Sequence, residues 1–261
     1  MTVPAGLRGP GPTTFGTWVK LPSLETLELL AAAGFEFIVV DMEHSPLTLD
    51  FAYQAIVVAQ GLGLAVLVRV PDRSGSHLQR LLDAGADGIL VPQVASAAEA
   101  RRSVEQMVFS PTGRRGMGST SRAGRWGLAP TAEYLATGDQ VVRAIQVEDA
   151  AAFDELDAIL DTPGLTAVFL GMGDLSLSSG RPASSPELQE LMDRLLAAAA
   201  ARQLPCGTAV GDAAAAVAAA RRGFSFVMVS NDASIFGRAA TELGAAVTAG
   251  LRSAPEPEPV S

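Results

Sequence analysis

The sequence predicts an α/β fold, a (β/α)8 TIM barrel forming a single domain, and three observations carry that prediction. The chain has 261 residues, close to the roughly 250 of one such barrel. A helix-like stretch, a glycine and a short β-rich run recur in that order, as in Ala33-Gly34 before Phe37-Ile38-Val39-Val40-Asp41. The β-rich runs are near-continuous Val, Ile, Leu and Phe, the composition of parallel strands covered on both faces.

Taken in order, the strands are expected at about 15–18, 37–41, 64–69, 87–91, 141–147, 166–170, 205–209 and 225–229. Helices are expected between them, among them 24–33, 51–60, 150–160, 187–202 and 213–222. Gly34, Gly85 and Gly223 stand where a helix ends and suit the left-handed position just past it. Eight β/α units favour a closed barrel over an open doubly wound sheet. Residues 1–12, rich in Pro and Gly, are expected to be flexible; 13–251 form the barrel, and 252–261, with Pro255, Pro257 and Pro259, a disordered tail. Segment 109–130 has no period and carries Arg, Gly, Ser and Trp126. Irregular stretches of that length in a compact domain serve a site or a partner chain.

Composition removes several functions. Hydrophobic residues make up 48% of the chain and charged ones 18%, a globular balance. With a formal charge of −9 and no basic, aromatic-rich cluster, nucleic acid is not an expected partner. Apolar stretches such as 213–220 are too short to cross a bilayer, and 1–12 lacks the apolar core of a signal peptide. The lone Cys206 cannot form an internal disulfide, which fits a cytoplasmic setting.

In this barrel type chemistry is carried where the strands finish, so the polar residues after each apolar run are the candidates. The second run ends in Asp41-Met42-Glu43-His44, the third in Arg69, the fourth near Gln93, the fifth in Gln146-Val147-Glu148 and the sixth in Gly171-Met172-Gly173-Asp174. Glu148 and Asp174 close adjacent strands, about 4.8 Å apart. Carboxylates that near repel unless protonated or bridged by a cation, and oxygen ligands with open positions suit Mg2+ or Mn2+. Alternatively, the two acids cap the helices that follow. His44, flanked by acids, is a candidate general acid–base, whereas His77 sits at a helix start. Arg69 can pair with Asp41 or Asp83, or offer its fork to a carboxylate or oxyanion. The glycines near 171–173 and 207–211 also allow a phosphate cup.

These residues resemble the HpcH/HpaI aldolase family, class II pyruvate-dependent aldolases related to the citrate lyase β subunit. The likeness runs from Phe15 to about Phe236 through Gly16-Thr17-Trp18, Asp41-Met42-Glu43-His44-Ser45-Pro46, Val68-Arg69-Val70 and Leu82-Asp83-Ala84-Gly85-Ala86. It continues through Pro111-Thr112-Gly113-Arg114-Arg115-Gly116, Arg125-Trp126-Gly127, Gln146-Val147-Glu148 and Gly171-Met172-Gly173-Asp174. The resemblance implies that Glu148 and Asp174 bind a divalent metal, Mg2+ or Mn2+, with Co2+ as a third option. It implies Arg69 at the keto oxygen of a 2-oxo acid, and His44 paired with Asp41 on the hydroxyl proton with Asp83 in the same network. Gln146 lines the site, and the amides of Gly173 and Asp174 hold the substrate carboxylate. It further implies a homohexamer, a trimer of dimers that exchange their last helix. Where the family commonly has Pro-Ala between the glycine and aspartate of the sixth strand end, this chain has Met172-Gly173, and Thr208-Ala209-Val210 replaces bulkier residues.

The expected function is cleavage or formation of a carbon–carbon bond beside a 2-oxo acid, with an aldehyde as the other small-molecule partner. Metal chelation stabilises the enolate, Arg69 adds positive charge to it, and His44 moves the proton. Lys20, the chain's only lysine, falls just past the first strand, which gives no strand-end lysine for a Schiff base. Competing functions are a Claisen-type lyase using an acyl-CoA, with Arg114, Arg115, Arg122 and Arg125 near its mouth, a phosphate-binding isomerase, and a non-catalytic barrel subunit.

Overall fold

In the computed structural model, which describes residues 3–253, strand and helix alternate from Thr14 onward. The first half runs β1 (Thr14–Val19), α1 (Glu25–Ala32), β2 (Phe37–Asp41), α2 (Leu49–Gly61), β3 (Ala65–Arg69), α3 (Gly75–Asp83), β4 (Gly88–Val91) and α4 (Ala97–Glu105). After a short 3-10 turn at Arg122–Gly127 come α5 (Thr131–Gly138), β5 (Val142–Val147), α6 (Leu156–Leu160), β6 (Ala167–Leu170) and α7 (Met172–Ser179). The chain then forms α8 (Pro186–Ala201), β7 (Cys206–Val210), α9 (Ala213–Arg222), β8 (Phe226–Asn231) and α10 (Asp232–Ser253). All eight strands are parallel and close in sequence order, β8 pairing back onto β1. The predicted barrel is the one observed, every strand within two residues of its expected limits.

Parallel strands covered on both faces divide the apolar residues into two clusters. Outward-facing Ile38, Val40, Val66, Val68 and Val168 pack under the helices. Inward-facing Trp18, Phe37, Val39, Leu67, Phe169 and Phe226 fill the barrel. Gly207 exists for the second cluster, because a Cβ there would lie 2.1 Å from the Phe226 ring. The glycines that close the helices, Gly34, Gly85 and Gly223, take φ of +86°, +89° and +115°, a conformation that costs L-residues with a side chain.

Three expectations are modified. The 1–12 lead-in, expected to be flexible, forms a 3-10 turn at Ala5–Leu7. Its Val3 and fully buried Leu7 join the inner cluster, because the barrel's lower opening exposes apolar side chains that these two cover. The helix expected over 150–160 is divided into a 3-10 turn, Ala150–Phe153, and α6, since Glu155 leaves helical geometry at φ −108°, ψ 15°. Of the expected disordered tail, Arg252 and Ser253 end α10, and 254–261 lie outside the described residues.

Candidate active site

Side chains along a strand alternate between faces, and that parity decides which polar groups enter the barrel mouth. Position 41 shares the inner face with Phe37 and Val39, position 69 with Ala65 and Leu67, and positions 146 and 148 with Val142 and Ala144. Trp18 is inward, so Lys20, two residues on, is too. The resulting cavity, about 980 Å³, is lined by Trp18, Lys20, His44, Arg69, Gln146 and Asp174 among others.

Asp41 and Arg69 are register partners on β2 and β3, which sets their side chains edge to edge. Arg69 Nε donates to Asp41 Oδ1 at 2.9 Å and Nη2 to Oδ2 at 2.8 Å, a bidentate pair. Its remaining Nη1 stands 3.0 Å from Glu43 Oε2, an ion contact without the alignment of a hydrogen bond. The guanidinium lies over the Trp18 ring, 4.2 Å from its centroid, where the ring's quadrupole adds support. Lys20 Nζ pairs with Asp41 Oδ2. Burial alone would raise the Asp41 pKa, but hydrogen bonds and charge from Arg69, then Lys20, hold it down at about 2. Asp41 is thus a permanent anion, shared by two cations.

The second cluster faces the first across the mouth. Glu148 follows β5 and is 5% exposed. Its Oε1 accepts the Gln93 backbone N–H at 2.7 Å, and Oε2 accepts from Gln146 Nε2. Gln93 reaches this position through a left-handed backbone, φ +57°, and its side chain donates to Glu43 Oε1 at 2.9 Å. Burial, with the charges of Asp174 and Glu43, raises Glu148 to about 7 despite the Gln93 and Gln146 hydrogen bonds. Gly171 makes room: a Cβ there would meet Glu148 Oε2 at 2.6 Å. Asp174, in the first turn of α7, is exposed to the same space.

This donor set fits a hard divalent cation. It consists of oxygen atoms only, the buried carboxylate is destabilised by a second carboxylate, and the buried Gln146 Oε1 has no hydrogen-bond partner. A dication relieves the first strain, and its hydration shell can satisfy the orphaned oxygen. Among the described residues no group of three or more His, Cys, Asp or Glu is placed to hold a metal, so a zinc-type cage is not present there.

Comparison with known proteins decides the family. The HpcH/HpaI aldolase/citrate lyase family model matches residues 14–239. The chain belongs to this family. It is 34% identical over 230 residues to the 5-keto-4-deoxy-D-glucarate aldolase of Salmonella arizonae, covering 87% of this chain and 89% of that protein. It is 33% identical over 244 residues to the 2-dehydro-3,6-dideoxy-6-sulfogluconate aldolase of Pseudomonas putida, covering 92% and 94%. An HpcH/HpaI aldolase/citrate lyase family protein from Burkholderia cenocepacia superposes with a TM-score of 0.86 at 32% identity, covering 93% of this chain and 97% of that one. The protein is accordingly a carbon–carbon lyase of the HpcH/HpaI aldolase type.

Within this HpcH/HpaI barrel, Arg69, Gln146, Glu148, Asp174 and Gly173 gather at one mouth, as their strand-end positions predict. Asp41 joins them, but His44 does not pair with it through its ring. The ring is half exposed, with Nε2 3.7 Å from Glu43 Oε2, and only the His44 backbone N–H reaches Asp41, at 3.2 Å. Arg69 and Lys20 already occupy the Asp41 carboxylate. Asp83 is elsewhere: it ends α3, which runs antiparallel to the strands, and pairs with Arg115 at 3.2 Å near the opposite end of the barrel. Arg115, Arg122 and Arg125 line a separate cavity there with Leu82, Gly85 and Asp87, so this chain places them away from the mouth where an acyl-CoA site would need them. Lys20 is not among the strand-end candidates, and Glu43 and Gln93 are among them without an assigned role. Strand parity from Trp18 signals Lys20, whereas nothing local signals the left-handed turn at Gln93. Cys206 is buried in the core, where burial pushes its thiol up.

Proposed function

We propose that the protein is a divalent-metal-dependent aldolase of pyruvate-like 2-oxo acids, reversibly cleaving a 4-hydroxy-2-oxo acid into a 2-oxo acid and an aldehyde. The observation that carries this reading is the buried Glu148, crowded by Asp174 beside an unpartnered Gln146 oxygen. Glu148 and Asp174 would hold Mg2+ or Mn2+, with Co2+ as a third option. When bound, the cation supplies Lewis acidity toward the keto and carboxylate oxygens of the 2-oxo acid.

The chain's own groups supply the rest. Arg69, fixed by Asp41, Glu43 and Trp18, presents its positive charge where the enolate oxygen develops, at no reorganisation cost. In cleavage the C3–C4 electron pair moves to the 2-oxo acid fragment, and the C4 hydroxyl proton passes to the half-exposed His44, directly or through one water. C3 then takes a proton from water while His44 returns its proton to water, and the 2-oxo acid is released. Backbone N–H groups of Gly173 and Asp174 sit in the first turn of α7, where helix donors are free for a carboxylate. Asp83, remote within one chain, is proposed only to brace Arg115. The assembly we propose is a homohexamer, a trimer of dimers that exchange α10, supported by the exposed Phe236, Leu243, Val247 and Leu251 along that helix. We place it in the cytoplasm, where the single thiol of Cys206 stays reduced; among the described residues no helix is long and apolar enough to cross a membrane.

Chelator treatment followed by manganese or magnesium should abolish and then restore pyruvate–aldehyde condensation, followed by product formation. Activity that ignores chelator would end the metal reading. Glu148→Ala should lose manganese binding in calorimetry, whereas Arg69→Ala should bind manganese and lose kcat by about 100-fold or more.

A further inference from the structure

Gln93 stands on the short turn between β4 and α4 and reaches the chain that follows three other strands. Its backbone is left-handed, φ +57°, a conformation that costs a residue with a side chain and that glycine adopts freely. The turn is held from two sides. The N–H donates to Glu148 Oε1 past β5, 2.7 Å away, and the carbonyl accepts from Arg73 Nη1, whose Nη2 stands 3.0 Å from Glu99 Oε1. Neither bond uses the Gln93 side chain, so glycine would serve both. What glutamine adds is its amide, and Nε2 donates to Glu43 Oε1 at 2.9 Å.

Glu43 depends on that amide. Its side chain is 6% exposed, so little water reaches the carboxylate to orient it. Oε2 stands 3.0 Å from Arg69 Nη1 and 3.7 Å from His44 Nε2, and neither contact has hydrogen-bond alignment. Among the described residues the Gln93 amide gives this carboxylate its one hydrogen bond. Arg69 in turn is fixed at Nε and Nη2 by Asp41, which leaves its third corner, Nη1, to Glu43. A single residue thus spans both halves of the site, its peptide on Glu148 and its side chain on the partner of Arg69.

We propose that Gln93 is a positioning residue of the reaction: its side-chain amide fixes the Glu43 carboxylate and, through it, Arg69, while its backbone N–H separately fixes Glu148. This rests on the aldolase reading and adds a residue to it. The two actions can be separated, because one belongs to the peptide and the other to the side chain. Arg69 acts on charge that develops in the transition state, so loss of the amide lowers kcat and leaves KM for pyruvate unchanged. Manganese affinity survives, because the N–H to Glu148 stays.

The test compares Gln93→Gly and Gln93→Met with the wild type. Glycine keeps the N–H and suits the left-handed turn, methionine keeps the bulk, and both lack the donor. Gln93 is exposed at the mouth, which puts folding at little risk, and the unfolding midpoint checks it. Both variants should bind manganese as the wild type does in calorimetry. Their kcat for pyruvate–aldehyde condensation should fall about threefold to tenfold, the weight of one hydrogen bond. In a Glu43→Ala background the same substitutions should lower kcat no further, since the carboxylate they act through is gone. Oxalate, a planar dianion that resembles the pyruvate enolate, gives a readout without turnover: its affinity for the manganese-loaded protein should fall with kcat. Wild-type kcat and oxalate affinity in both variants would overturn the positioning role and leave the aldolase reading intact. A loss of manganese affinity as large as the loss of kcat would overturn it too, leaving Gln93 as a support for Glu148 alone. So would a kcat loss that persists in full beside Glu43→Ala. A wild type that neither binds manganese nor condenses pyruvate with any aldehyde would overturn the aldolase reading, and the positioning role with it.

Discussion

Asp41 and Glu148 are both buried carboxylates at strand ends, yet their surroundings drive them in opposite directions. Asp41 titrates at about 2 instead of 3.8. Its folded pKa is depressed, so its contribution is present above 3.8 and is lost as pH falls toward 2. Asp41→Asn should therefore cost about 2 kcal/mol of stability at neutral pH, a gap that closes on acidification in denaturant titrations. Glu148 titrates at about 7 instead of 4.5. The cation-free protein should lose stability as pH rises through that window, because ionising Glu148 puts a charge in a buried position, near Asp174 and Glu43. A divalent cation displaces the proton, so manganese affinity should climb as pH rises toward about 7 and level off above it. Calorimetry in buffers of different ionisation heat should detect up to one proton released per manganese below pH 7; none released would sink the assignment of Glu148 as ligand.

The junction of β6 and α7 shows how an element prepares the site. Gly171 lets the backbone pass behind Glu148, where a Cβ would meet its carboxylate, whereas a Cβ on Gly173 would meet nothing within 4 Å. The two glycines look alike in the sequence and should behave differently. Gly171→Ala should weaken manganese binding by about tenfold, consistent with a ligand displaced from its preorganised position. Gly173→Ala should keep it and raise unfolding stability by up to about 1 kcal/mol through helix propensity. Equal effects on metal binding would show that neither contact matters. Helix ends and strand runs were legible because each rests on local chemistry. The division of 150–160 was not, since its apolar positions fit one continuous helix.

At the scale of the whole molecule, the barrel is self-sufficient but α10 is not. Asp232 anchors its start to Lys20 and Leu21, and the helix touches β1 and β8. From there Phe236, Leu243, Val247 and Leu251 stand 55–74% exposed, spaced to form one apolar stripe. Such a stripe on a helix that packs along little of its length calls for a partner surface. Leu243→Asp combined with Leu251→Asp should lower the sedimenting mass of the assembly while leaving the barrel's unfolding midpoint nearly unchanged. An unaltered mass would remove the helix-exchange proposal. The formal charge of −9 agrees with small substrates drawn in by local cations, not by the overall field.

The amino-acid sequence by itself determined the eight-unit barrel, the rim on which the polar residues converge and the placing of Glu148 and Asp174 on that rim. All follow from periodicities of two and 3.6 and from the rule that barrel strands end at the site. Only the tertiary structure decided which rim groups touch. It gave Asp41 to Arg69 and Lys20 in place of the His44 ring, sent Asp83 to the far end with Arg115, and brought Gln93 across from β4 to Glu148. Those partnerships join residues 21 to 55 positions apart. They depend on strand register, helix direction and a left-handed backbone, none of which a local stretch of sequence encodes.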